Sequence, residues 1–118
     1  MKIMSYNCRG LAGPQKKSAF RRIIFLDCPD LILLQETLGA GSVVKERLEG
    51  WLPGWFFETL DVRGRSGGLA VGWNGRTIKP LNFWGMESVL GLTFQVLELG
   101  EVFNIFNIYG PYQDQIPF

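Results

Sequence analysis

The chain has 118 residues and is 47% hydrophobic, 14% aromatic and 19% charged, with a formal net charge of +1. This composition excludes a disordered or low-complexity protein and suits one domain or part of one. It contains no histidine, so these residues can supply neither an imidazole base nor a histidine-ligated metal.

The longest apolar run is far too short to span a bilayer, and Met1 to Tyr6 lack the long apolar segment of a signal peptide. The expectation is an intracellular protein, nuclear or cytoplasmic, neither secreted nor tied to a membrane. Cys8 and Cys28 form no Cys-x-x-Cys pair and read as reduced thiols packed as small apolar groups. Lys2, Arg9, Lys16, Lys17, Arg21 and Arg22 all precede the first acid, Asp27. Such a cluster reads either as a solvated helix face or as a patch that meets phosphates.

Residues 2–6 suit a short strand, and Asn7-Cys8-Arg9-Gly10 follows as a turn. Gly13-Pro14 opens a helix, with Pro14 suited to its first position. Ala19, Phe20, Ile23, Ile24 and Leu26 recur at three- and four-residue spacing as its apolar stripe. Pro29 ends it. Leu31-Ile32-Leu33-Leu34 then runs into Gln35-Glu36-Thr37, a short unbroken apolar run that reads as a strand buried on both faces. Strand, helix and strand make a βαβ-like unit and an α/β class.

Gly39-Ala40-Gly41 reads as a flexible link, and Ser42 as the cap of a short helix from Val43 to Leu48 that Gly50 ends. Strands are expected over 54–60, 68–73, 77–83, 89–97 and 102–109. Asn74-Gly75 predicts a hairpin between the second and third of these. Several of these strands are apolar in both phases and need cover on both faces, and two short helices can cover one. The reading is a mixed sheet with helices on one face, an incomplete piece of a larger layered α/β domain.

If the first two strands are parallel neighbours, Asn7 and Glu36 emerge at one sheet edge, where ligands collect in α/β folds. An amide and a carboxylate oxygen there suit a hard cation such as magnesium. Equally, Asn7 can stabilise its own turn and Glu36 can be an exposed residue after a strand. Gly64-Arg65-Ser66-Gly67-Gly68 lacks the ending of a phosphate-binding P-loop and reads as a tight turn, from which Arg63 and Arg65 could reach a phosphate. Tyr109 can donate to a phosphate oxygen or simply pack its ring.

Tyr6-Asn7-Cys8-Arg9-Gly10, Leu34-Gln35-Glu36-Thr37, Ser66-Gly67-Gly68-Leu69-Ala70 and Asn107-Ile108-Tyr109-Gly110-Pro111 occur in this order. In these motifs the chain resembles the first half of the endonuclease/exonuclease/phosphatase family. It looks most like the endonuclease domains at the N-terminus of plant non-LTR (LINE-type) retrotransposon polyproteins. The resemblance implies a four-layer α/β sandwich, of which residues 1–118 would form the N-terminal half. It implies that Glu36 binds magnesium or manganese with Asn7 beside the metal. It also implies that Tyr109 contacts the scissile phosphate and completes the catalytic set with Glu36 and Asn7. Read from the residues instead, Arg9 in the basic segment and Arg65 in the glycine-rich turn are the candidate contacts to substrate phosphate. The implied reaction is metal-dependent hydrolysis of a phosphate ester, in this branch the nicking of DNA. The implied partners are DNA and the domain's C-terminal half.

Arg9 departs from the acidic residue usual in related apurinic/apyrimidinic endonucleases. The family's later Asp-x-Asn motif and Asp-His pair have no counterpart here, so this chain alone is expected to be inactive. The alternatives are a non-catalytic, nucleic-acid-binding remnant, or a phosphatase-type member acting on a phosphoinositide, sphingolipid or nucleotide.

Overall fold

The structure, a computed structural model, describes residues 1–62 and 67–109. The elements in chain order are β1 (Ile3–Asn7), α1 (Pro14–Asp27), β2 (Leu31–Gln35), α2 (Gly41–Trp51), β3 (Trp55–Leu60), β4 (Leu69–Asn74), β5 (Ile78–Met86), β6 (Val89–Val96) and β7 (Val102–Ile108). They form two sheets, one in the order β1-β2-β4-β3 and one in the order β5-β6-β7. β1 and β2 pair in parallel across α1, with Asn7 opposite Gln35, and the other pairings are antiparallel. The first sheet is therefore mixed, as its sequence implied.

Side-chain alternation builds the layers. In β2, Ile32 and Leu34 join Phe20, Val44, Leu48 and Phe57 in a core under the helices. Leu31 and Leu33 point the other way, into a second core with Val71, Trp73, Leu92 and Phe94. The helices thus cover one face of the first sheet and the second sheet covers the other. The second face, which the two helices cannot cover, is covered by β5–β7. The uncovered surface lies one layer further out, where Trp84, Gly91 and Phe106 form a cross-strand row and Met86 and Ile108 are exposed. A Cβ on Gly91 would meet the Trp84 ring at 2.4 Å, so the glycine lets that ring lie edge-on to Phe106.

Four local expectations are corrected. The Asn74 turn forms, with Asn74 Oδ1 accepting the Arg76 N–H at 2.9 Å, but β4 and β5 belong to different sheets and make no hairpin. The turn motif dictates the bend, and the apolar phases of the two strands dictate their partners. Ser42 does not cap α2: Ala40 is the N-cap, and Asp61 Oδ1 accepts the Gly41 N–H at 2.9 Å. In α1, Phe20 is buried while Ala19 and Leu26 are exposed, so the buried stripe is narrower than its spacing suggests. Cys28 is exposed, because it takes the left-handed C-cap position of α1 at φ 46°.

Candidate active site

The parallel register delivers the ends of β1 and β2 side by side, and backbone bonds continue beyond the strands. The Cys8 N–H donates to Gln35 O and the Gly10 N–H to Glu36 O, both at 2.8 Å. Three non-glycine residues here adopt left-handed backbone: Arg9 at φ 50°, Glu36 at φ 55° and Leu38 at φ 51°. Such conformations cost on the order of 1–3 kcal/mol each and persist where the surroundings over-determine them.

Asn7 Nδ2 donates to Glu36 Oε2 at 2.9 Å, and Asn7 Oδ1 accepts the Arg9 N–H at 3.1 Å. Asn7 therefore shapes its own turn, as one of its two readings had it, and its amide nitrogen also engages the Glu36 carboxylate. Lys16 Nζ donates to the Cys8 carbonyl at 2.5 Å, tying the start of α1 to the same turn. Cys8 is fully buried. Burial pushes its thiol up to about 12, the Lys16 charge opposing that shift and the Glu36 charge adding to it.

The end of β7 reaches the same edge through Asn107, which is 1% exposed. Its Nδ2 donates to Leu34 O and Ala70 O, each at 2.9 Å. Its Oδ1 accepts Gln35 Nε2 at 2.9 Å, and Gln35 Nε2 also donates to Ser5 Oγ at 3.1 Å. Tyr109 follows two residues later, roughly 7 Å of extended chain. Its N–H donates to Ser88 O at 2.9 Å, and its ring packs against the core between the sheets. Among the described residues no hydrogen bond joins the Tyr109 phenol to Asn7 or Glu36.

Arg9 is exposed, and the one ion pair among the described residues is Lys45 with Glu49, remote from it in sequence. Arg65, with Arg63, Gly64 and Ser66, lies outside the described residues, as do Gly110 and Pro111. Gly67 O accepts the Leu38 N–H at 3.0 Å and Gly68 O the Thr37 N–H at 3.3 Å, so the glycine motif borders the Glu36 loop. Asn107 is the residue to which sequence reasoning gave no role. The available signal was an amide within the apolar run Val102–Ile108, since a buried amide must find partners.

Among the described residues no three His, Cys, Asp or Glu side chains cluster as a metal site. Magnesium, however, commonly takes one or two carboxylates and completes its shell with waters and substrate oxygens. Glu36 has Oε2 engaged by Asn7, which leaves Oε1, and Asn7 Oδ1 keeps a second lone pair. These residues fit part of a hard-cation site.

No family model matches the sequence, and no curated protein matches it. Solved structures do match the fold. A mannosyl-6-phosphatase from Bacteroides thetaiotaomicron superposes with a TM-score of 0.69 at 14% identity, covering 88% of this chain and 49% of that one. An endonuclease/exonuclease/phosphatase family protein from the same organism gives 0.68 at 13% identity, covering 88% and 48%. The fold is that of the endonuclease/exonuclease/phosphatase proteins. An AP endonuclease from Leishmania major superposes with a TM-score of 0.67 at 18% identity, covering 91% of this chain and 39% of that one. The chain spans about half the length of the first two structures. At these identities the likeness shows the fold. No helix among the described residues is long and apolar enough to cross a membrane.

Proposed function

We propose that the chain is the metal-holding part of a divalent-metal-dependent phosphodiester hydrolase, a DNA endonuclease of the plant LINE-type retrotransposon kind. The observation that carries this reading is the 2.9 Å bond from Asn7 to Glu36, at the edge where the motif resemblance puts the metal residues. The names of the similar structures, a phosphatase and an AP endonuclease among them, support phosphate-ester chemistry. The Asn-Cys-Arg-Gly and Tyr-Gly-Pro signatures favour the retrotransposon branch over a phosphatase of phosphoinositides, sphingolipids or nucleotides.

Glu36 would hold magnesium or manganese with Asn7 beside it, and the bound ion would supply charge that polarises a phosphoryl oxygen. Asn7 orients the carboxylate. Tyr109 offers a phenol O–H to a phosphate oxygen, and Arg9 and Arg65 offer guanidinium groups to further phosphates. No residue of the 118 is a histidine. Lacking such a base costs on the order of 10²–10⁴ in rate, so the chain alone binds DNA without nicking it appreciably. The missing imidazole and the basic segment before Asp27 favour, as second reading, a nucleic-acid-binding piece that has no catalytic role.

Supercoiled plasmid with magnesium tests both readings. The expected result is filter retention that falls steeply with salt and no nicking above background. Absence of retention at low salt would remove DNA as the partner. Nicking that disappears in Glu36→Ala would overturn the inactivity and the second reading together.

A further inference from the structure

We infer that Asn107, acting through Gln35, is a positioning residue that fixes the Tyr109 segment against the strand end bearing Glu36. The inference deepens the proposed hydrolase reading and rests on it for its functional meaning, though not for its geometry. One buried side chain on β7 reaches two strands of the other sheet, by donating to Leu34 O of β2 and Ala70 O of β4 and accepting from Gln35. Gln35 passes the connection on to Ser5 of β1. Four strands from two sheets are therefore tied by two side-chain amides, Gln35 immediately before Glu36 and Asn107 two residues before Tyr109.

Apolar packing between the sheets is non-directional and would tolerate a slip of β7 along β2. Directional bonds from a buried amide do not tolerate it, because any slip strands polar groups without partners. The inter-sheet register is thus set closest to the candidate site. Alternation puts Tyr109 on the same side of β7 as Asn107, facing the first sheet. Gln35 also lies opposite Asn7 in the parallel ladder, so the strut reaches Asn7, Glu36 and Tyr109 through their nearest backbone.

Asn107→Leu removes all three bonds at similar volume. Gln35→Met removes the bonds of Gln35 to Asn107 and to Ser5, keeps the two backbone bonds of Asn107, and decides the matter if Asn107→Leu does not fold. Phe94→Leu, in the core between the sheets, controls for general loss of stability. Amide exchange in a nitrogen-15-labelled chain is expected to quicken at least tenfold at Gly10, which donates to Glu36 O, and at Tyr109, relative to Leu92. An acceleration spread evenly over all amides, as in Phe94→Leu, would overturn the proposal. Added Mn2+ is expected to broaden the Tyr109 amide resonance in the wild type and at least threefold less in the strut variants, and equal broadening would also overturn it. If Mn2+ binds the wild type nowhere, the metal reading fails and exchange alone decides the strut.

Discussion

Asn7 and Glu36 leave neighbouring parallel strands and meet through one hydrogen bond, Nδ2 to Oε2 at 2.9 Å. The meeting follows from α1: a helix between two strands returns the chain in parallel, so both strand ends reach one edge. The amide engages one carboxylate oxygen, and no side-chain hydrogen bond among the described residues engages the other. Asn7→Ala should therefore weaken Mn2+ binding by about 10–100-fold, the usual effect of losing a residue that orients a metal ligand. Calorimetric titration checks it, and unchanged affinity would show that Asn7 serves only its own turn.

Gly72 is the counterpart of Phe57 across the β3–β4 pair, and a Cβ there would meet the Phe57 ring at 2.3 Å. Gly72→Ala should destabilise the chain by about 1–3 kcal/mol through overpacking. Adding Phe57→Leu should recover part of that loss, with a coupling of roughly 0.5 kcal/mol or more. Urea denaturation of the two single variants and the double variant checks this, and strict additivity would contradict the close packing.

β3 is the open edge of the first sheet, yet neither backbone group of Phe57 is bare. Glu49 Oε2 accepts its N–H at 2.9 Å and Lys45 Nζ donates to its carbonyl at 2.6 Å. The same two side chains pair with each other at 2.8 Å. They occupy the groups that a foreign strand would use. Glu49→Ala should cost about 1–3 kcal/mol for the stranded N–H and raise self-association, read by sedimentation velocity. A variant that stays as monodisperse as the wild type would count against edge protection.

Cys8 titrates only well above its ordinary value near 9, because burial disfavours the thiolate. The sign follows: the raised folded value leaves this contribution complete below about pH 9, and it is lost as the pH climbs towards about 12. Across that window stability should fall by about 1.4 kcal/mol per pH unit from this one group. Below it, a thiol reagent should label Cys28 at once and Cys8 only on unfolding. Two equally fast thiols would contradict the burial.

The sequence made the first sheet readable where apolar residues occupy both strand phases. Leu31 and Leu34 are each 0% exposed, on opposite faces. The strand–helix–strand unit and the juxtaposition of Asn7 with Glu36 followed from that pattern. What stayed hidden was set at long range. Whether Asn74 turns into a hairpin or into another sheet depends on partners far along the chain. Asp61 caps α2 from 20 residues away, a bond that no local capping signal announces. Asn107 lay inside a motif already singled out, but its three partners lie 37 to 73 residues distant.

The most direct measurement is a Mn2+ titration followed by electron paramagnetic resonance, run on the wild-type chain and on Glu36→Gln. A carboxylate that holds the ion predicts one bound Mn2+ in the wild type and its loss in the variant, with the amide spectrum of the β5–β7 sheet unchanged. A wild type that binds no Mn2+, or a variant that binds it equally well, would contradict a metal site at Glu36.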